Sequence, residues 1–145
     1  MQDEFVWNMW ELIKTAEANR IEISSNFSQK YGITPLQARV LIQIFLNENS
    51  QLGKLADDLF MNPGNLSKIC KSLESKNLIE RSRSESDNRS LEITASKHGK
   101  ELVADFQQLL FRRIQDFTNV YSEEQLKEIL QFLKEYNLFM AENFR

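Results

Sequence analysis

Residues 61–76 of the chain, MNPGNLSKICKSLESK, decide its fold. They predict a helix, because Asn62 is a good N-cap and Pro63 falls at the first helical position, where no N–H donor is needed. The helix should end near Lys76, and Asn77 can take the left-handed conformation that Gly usually takes after a helix.

The predicted helix has two different faces. One face is an apolar stripe, formed at positions i, i+3, i+4 and i+7 by Leu66, Ile69, Cys70 and Leu73. The opposite face carries Lys68 and Lys71 and no acidic residue. A basic face of this kind is typical either of a helix that contacts nucleic acid or of an ordinary solvated surface helix. The charges alone favour the second interpretation.

A β-hairpin is predicted directly after this helix. Leu78–Arg81 is typical of a strand, and Ser90–Thr94 alternates polar and apolar residues as a half-buried strand does. The residues between them, Ser82–Arg89, are all polar or charged and include the turn formers Ser, Asp and Asn. A polar hairpin tip beside a basic helix is a plausible pair of nucleic-acid contacts.

Length and composition limit the classes of protein to consider. A chain of 145 residues with 41% hydrophobic and 27% charged residues is typical of one folded domain. The net charge is −3, but residues 53–100 hold nine basic and seven acidic residues, so the middle is the only basic third. One cysteine excludes an internal disulfide framework. The acidic start and the short apolar runs predict a cytoplasmic protein without a signal peptide or membrane span.

Helices are predicted on both sides of the basic segment. Thr34 and Gln37 form a capping box at the start of a helix over Pro35–Leu46, and Lys54–Phe60 forms a short helix. Residues 4–28, the region after the N-cap Ser96, and the region after a second capping box at Ser122 form long helices rich in apolar residues. These long helices favour a two-fold dimer, and the alternative is a monomeric helical bundle.

Taken together, the predicted elements form a winged helix-turn-helix, and nearly the whole chain resembles the MarR family of bacterial transcriptional regulators. The fold class is therefore mainly α with a small β-hairpin wing. The matching pieces are Ile33–Gln37, Leu55-Ala56, Asn62–Glu74, Asn77–Arg81, Asp87-Asn88-Arg89 and Gly99. Three positions depart from the family pattern: Asn77 replaces a Gly, and Ala95-Ser96 replaces a Leu-Thr pair. Ser96 can still cap the next helix.

The resemblance implies one domain over residues 1–145, with dimerisation helices in 1–30 and 100–145 and the winged helix-turn-helix in 33–99. It further implies DNA contacts from the helix and the wing by Asn62, Pro63, Gly64, Asn65, Ser67, Lys68, Lys71, Arg81, Arg83, Asp87 and Arg89. Arg89 would enter a minor groove, oriented by Asp87. Arg81 would hold a phosphate or, equally, make an ion pair within the winged region.

Many relatives in this family bind small aromatic ligands, and the residues here that could line such an effector site are Trp7, Trp10, Phe27, Tyr31 and Phe111. Each of them is also a candidate for plain core or dimer interface. No cofactor or metal is expected, because His98 is the only histidine. Cys70 lies on the apolar stripe, where a cysteine usually packs as a small hydrophobic residue.

The function expected from this resemblance is a sequence-specific regulator that binds double-stranded DNA. It would act as a homodimeric repressor on a pseudo-palindromic operator and be released by a small-molecule effector. The first alternative is a winged-helix module that binds proteins and no DNA. An enzyme is not expected, because the sequence has no nucleophile elbow and no phosphate-binding Gly loop.

Overall fold

The fold is mainly helical with a small antiparallel sheet, as expected from the sequence. The computed structural model describes residues 1–83 and 91–143. These residues form six helices and three strands in the order α1 (Gln2–Tyr31), α2 (Pro35–Leu46), β1 (Ser50–Gln51), α3 (Leu52–Asp58), α4 (Pro63–Ser75), β2 (Ile79–Arg83), β3 (Leu91–Ala95), α5 (Lys97–Val120) and α6 (Glu123–Asn143). None of the helices in these ranges is both long and apolar enough to cross a membrane.

The chain divides into two compact units. The first covers Met1–Asp105 and holds α1 to α4, the sheet and the start of α5. The second covers Phe106–Arg145 and holds the remainder of α5 together with α6. The single-domain organisation expected from the sequence stays a prediction.

The sheet has the strand order β1-β3-β2, and both pairings are antiparallel. Arg81 of β2 lies opposite Ile93 of β3, and Ser50 of β1 lies opposite the same residue on the other side. The sequence did not predict β1, because two residues are too few to show an alternating pattern.

The core of the first unit lies beneath α4 and the sheet. Its largest fully buried side chains are Leu41, Ile44, Leu55, Leu66, Leu73, Ile79, Ile93, Val40 and Cys70. They come from every element between α2 and β3 except β1, so burial of apolar surface fixes the arrangement of these elements. The apolar stripe predicted on α4 is buried at Leu66, Cys70 and Leu73, whereas Ile69 is half-buried.

The helix caps follow the sequence signals. Thr34 and Gln37 form the complete capping box, and Ser122 and Gln125 make the same pair of hydrogen bonds at α6. Ser96 caps α5, because its Oγ accepts a hydrogen bond from the Gly99 amide at 3.0 Å. These local signals placed the starts of α2, α4 and α5 correctly, while α1 extends further in both directions than the predicted 4–28.

Gly99 lies where the start of α5 passes close to the backbone that precedes β2. A Cβ atom at this position would lie 2.0 Å from the Leu78 carbonyl oxygen, so any side chain would push the two segments apart. The Leu78 carbonyl also accepts a hydrogen bond from the Ser96 amide at 3.1 Å. This close approach explains why a glycine is needed three residues after the cap of α5.

Candidate nucleic-acid interface

The N-terminus of α4 is open to solvent and has a defined backbone geometry. The Asn62 side chain accepts a hydrogen bond from the Gly64 amide at 2.8 Å, and Pro63 occupies the first turn, as the sequence predicted. Asn62, Pro63 and Gly64 are all exposed. The N-terminal end of a helix carries a partial positive charge that attracts anions, so a phosphate oxygen could approach this turn closely.

One face of α4 presents polar and basic side chains outside the core. Asn65, Lys68 and Lys71 are exposed, and Ser67 is half-buried. We call this set, together with Asn62, Pro63 and Gly64, the α4 face. It offers an amide that can pair with a base edge and two ammonium groups that can pair with phosphates. The structure therefore brings together the predicted site residues that belong to α4.

Arg81 is held within the winged region. Its Nε lies 3.3 Å from Glu74 Oε2, and only 18% of its side chain is exposed. A second guanidinium nitrogen donates to the Ser67 carbonyl at 3.5 Å, whereas Nε makes no aligned hydrogen bond with the carboxylate. Of the two roles expected for Arg81, the described contacts are those of the intramolecular pair. This pair joins β2 to α4 and places a positive charge beside Glu74.

The remaining site residues predicted from the sequence belong to the wing. Arg83 is exposed at the end of β2. Asp87 and Arg89 lie outside the described residues, so their expected contact with a minor groove stays a prediction.

Cys70 is fully buried on the inner side of α4. Burial raises the pKa of its thiol, the nearby charge of Arg81 lowers the pKa to a smaller extent, and Glu74 raises it further. A buried thiol with a raised pKa is largely protonated at neutral pH and is a poor nucleophile. The geometry therefore agrees with the packing role expected from the apolar stripe.

The aromatic residues proposed for an effector site fall into separate groups. Phe27 is buried and lies 4.7 Å from the Tyr31 ring, measured between ring centroids, and the Tyr31 hydroxyl donates to the Asp105 carboxylate. Trp7 and Trp10 are exposed on the same helix. At 1.5 Å per residue, Trp10 is roughly 25 Å from Phe27 along α1, so one chain does not bring these groups together. Phe111 is exposed in the second unit.

Two polar contacts near the C-terminal end of α4 were not anticipated from the sequence. Gln37 Nε2 donates to Ser72 Oγ at 2.8 Å, and Lys76 Nζ donates to the Gly32 carbonyl at 3.0 Å. Both contacts join residues far apart in the chain, and sequence periodicity carries no information about such pairs. The one sequence signal for the first contact was the residue type of Gln37: a capping box uses its amide oxygen, and its NH₂ group remains available to donate.

Comparison with known proteins assigns the family. A family model described as the transcriptional regulator SarA/Rot matches residues 22–106. The chain belongs to this family of transcriptional regulators.

Individual relatives agree with this assignment. The regulator SarZ of Staphylococcus aureus, described as HTH-type, is 28% identical over 120 residues, which cover 83% of this chain and 78% of SarZ. Among solved structures, FabT of Streptococcus pneumoniae in complex with DNA has a TM-score of 0.78 at 18% identity and covers 94% of this chain and 98% of FabT. Apo MarR of E. coli has a TM-score of 0.67 at 20% identity, over 87% of this chain and 93% of MarR. The MarR-type winged-helix fold expected from the sequence is confirmed.

Proposed function

We propose that this transcriptional regulator acts by binding double-stranded DNA as a homodimer, with one α4 helix in each of two major grooves. The observation that carries the proposal is the exposed α4 face, which offers Asn65, Lys68 and Lys71 beside an open helix N-terminus. The likeness in fold to FabT, which was solved with DNA, supports the same conclusion. Half-site centres would lie about 10 bp apart, one turn of the duplex.

The contacts would divide between phosphates and bases. Lys68 and Lys71 would neutralise phosphates, Asn65 and Ser67 would contact base edges, and the positive N-terminal end of α4 at Asn62–Gly64 would lie beside a phosphate. Arg83 would extend the phosphate contacts toward the wing. Asp87 and Arg89 keep their predicted role in the neighbouring minor groove.

The homodimer is supported by apolar side chains that the single chain leaves exposed. They lie on α1, α5 and α6 and include Phe5, Val6, Trp7, Trp10, Ile13, Phe111, Ile114, Phe117, Leu130 and Leu138. A set of this size on long helices is typical of a protein interface rather than of a solvated surface. A second copy of the chain is the partner that two-fold operators require.

We also propose that the protein represses transcription and that a small aromatic effector releases it from DNA. A ligand can release DNA only if it binds the DNA-free conformation more tightly than the DNA-bound one. Phe27 and Tyr31 are the aromatic residues nearest the junction of α1 with α2, and they support a site there better than the distant Trp7 and Trp10 do. A role in transcription without catalysis and a cytoplasmic location belong to the same proposal.

A salt titration separates this proposal from the winged-helix module that binds proteins only. Duplexes would first be selected from a random-sequence library with the purified chain. Their affinity for the chain would then be measured between 50 and 200 mM salt, a range over which a protein with six to ten phosphate contacts loses about 10³–10⁵ in affinity. The proposal predicts a steep loss of affinity over this range. Failure to select any duplex, or binding that does not depend on salt, would contradict it.

A further inference from the structure

The Gln37 side chain uses both of its polar groups, and it connects two helices. Its Oε1 accepts a hydrogen bond from the Thr34 amide at 3.0 Å, which completes the capping box of α2. Its Nε2 donates to Ser72 Oγ of α4 at 2.8 Å. The Thr34 hydroxyl fixes the backbone of Gln37 in return, by accepting from its amide at 3.1 Å. Thr34 therefore fixes the backbone amide and the Oε1 of Gln37, while the Nε2 of Gln37 bonds to α4.

A second contact lies one turn further along, at Lys76, the C-cap residue that follows α4. Lys76 Nζ donates to the Gly32 carbonyl at 3.0 Å, and Gly32 is the left-handed cap that ends α1. Ser72 and Lys76 are four residues apart, so they project from one side of the helix. The cap of α1 and the first turn of α2 thus contact the last turn and the C-cap of α4 at two successive levels.

These contacts add a directional restraint to the one that the apolar core supplies. Burial of Leu66, Cys70 and Leu73 stabilises the position of α4 but depends little on direction, whereas a hydrogen bond tolerates only small changes in distance and angle. A rotation of α4 by about 10° moves an atom about 8 Å from its axis by roughly 1.4 Å, which is enough to lose a base contact of normal length. The rotation of α4 about its own axis therefore determines which bases its outer face can contact.

We propose that Gln37 and Ser72 are positioning residues for sequence discrimination: their hydrogen bond sets the rotation of α4, and neither side chain touches DNA. This inference rests on the proposed DNA binding. It predicts that losing the bond lowers affinity for the correct sequence and leaves non-specific affinity unchanged, because the phosphate contacts of α4 survive.

The test compares Ser72→Ala, Gln37→Ala and the double variant on two DNA probes. The first probe is a duplex selected from a random library with the wild-type chain, and the second is a scrambled duplex of the same composition. Each single variant should lower the ratio of the two affinities by about 100-fold, because a homodimer loses one base contact, of about tenfold each, in both of its copies. The double variant should lose no more than either single variant, because both remove one and the same bond.

Two further variants distinguish positioning from general weakening. Gln37→Glu can still accept from the Thr34 amide and can accept from the Ser72 hydroxyl, so it should retain the wild-type ratio even if its charge lowers both affinities. Gln125→Ala removes the matching residue from the second capping box, whose bonds to Ser122 have the same geometry, and it should leave the ratio unchanged.

Three outcomes would overturn the inference. They are additive losses in the double variant, an unchanged ratio in both single variants, and a reduced salt dependence in Ser72→Ala, which would show that Ser72 contacts a phosphate directly. Salt-dependent binding of the scrambled duplex by the wild-type chain is measured in the same experiment. If the wild-type chain shows no such binding, the proposed DNA binding itself is contradicted, and this outcome differs from the three that overturn the role of Gln37 and Ser72.

Discussion

Cys70 illustrates how burial at a single residue affects stability. Its thiol lies in the core beneath α4, and burial raises its pKa above the ordinary value of 9.0. In the unfolded chain the thiol ionises near that ordinary value, whereas in the folded chain it stays protonated to higher pH. Above pH 9.0 the unfolded state therefore binds fewer protons than the folded state, and the free energy of unfolding must fall as the pH rises.

This effect gives the first prediction. Urea unfolding between pH 7 and pH 10.5 should show a loss of stability that Cys70→Ala lacks, with a slope of at most about 1.4 kcal/mol per pH unit. Lys and Tyr titrate in the same range, but they are common to both proteins and cancel in the difference. Parallel curves for the wild-type chain and the variant would show that the thiol ionises equally well in both states.

Asn77 is the residue that replaces the family's Gly after α4, and its φ of 57° lies in the left-handed region. Asn adopts this conformation more readily than most residues with a side chain, and Gly adopts it without cost. Asn77→Ala should therefore lower the free energy of unfolding by about 1 kcal/mol, while Asn77→Gly should leave it within about 0.5 kcal/mol of the wild type. Thermal and urea unfolding measure both, and equal stability of the two variants would contradict this account of the turn.

At the scale of the element, α4 shows which features the sequence could predict. Asn62, Pro63 and the spacing of Leu66, Cys70 and Leu73 are local signals, and they placed the start of the helix and its buried side correctly. The bond between Gln37 and Ser72 was not predictable, because it depends on how two helices pack. The same reason explains the missed strand β1, which exists only through its pairing with β3.

The outer side of α4 gives a prediction about salt. Lys68→Ala and Lys71→Ala should each weaken DNA binding and lower the slope of log affinity against log salt by up to about 1.8, since each phosphate contributes about 0.9 and a dimer carries two copies. Lys127→Ala is the matched control, because Lys127 lies on α6 and pairs with Glu123. If the slope of a Lys68 or Lys71 variant equals that of the control, the substituted lysine contacts no phosphate.

At the scale of the whole molecule, the exposed apolar side chains of α1 predict that the chain forms a dimer. Trp10 is 61% exposed, although tryptophan has one of the largest apolar side chains. Trp10→Glu should shift the chain from dimer to monomer in sedimentation experiments, because a charge in an apolar interface loses its hydration. Affinity for the selected duplex should fall as well.

Leu46→Glu is the control for this experiment. Leu46 is similarly exposed, at 66%, but it lies at the end of α2, outside the helices assigned to the dimer. It should leave the dimer intact. Equal effects of the two substitutions, or a monomeric wild-type chain at micromolar concentration, would contradict the proposed interface.

The overall architecture was predictable because it follows from many local signals in a fixed order. The roles of individual residues were less predictable. Arg81 had two expected roles, and only the folded structure shows its pairing with Glu74. The five aromatic residues expected to line an effector site lie on α1 and in the second unit, and a joint role for them stays a prediction, because a list of residue types does not contain their separation along a helix.

The central claim is that two α4 helices, related by two-fold symmetry, contact one duplex. Selection of duplexes from a random library, followed by sequencing of the bound pool, tests it most directly. The account predicts an inverted repeat whose half-site centres lie about 10 bp apart and whose symmetry is lost in the pool selected by Trp10→Glu. A pool with one unrepeated motif, or with repeats in the same orientation, would contradict it.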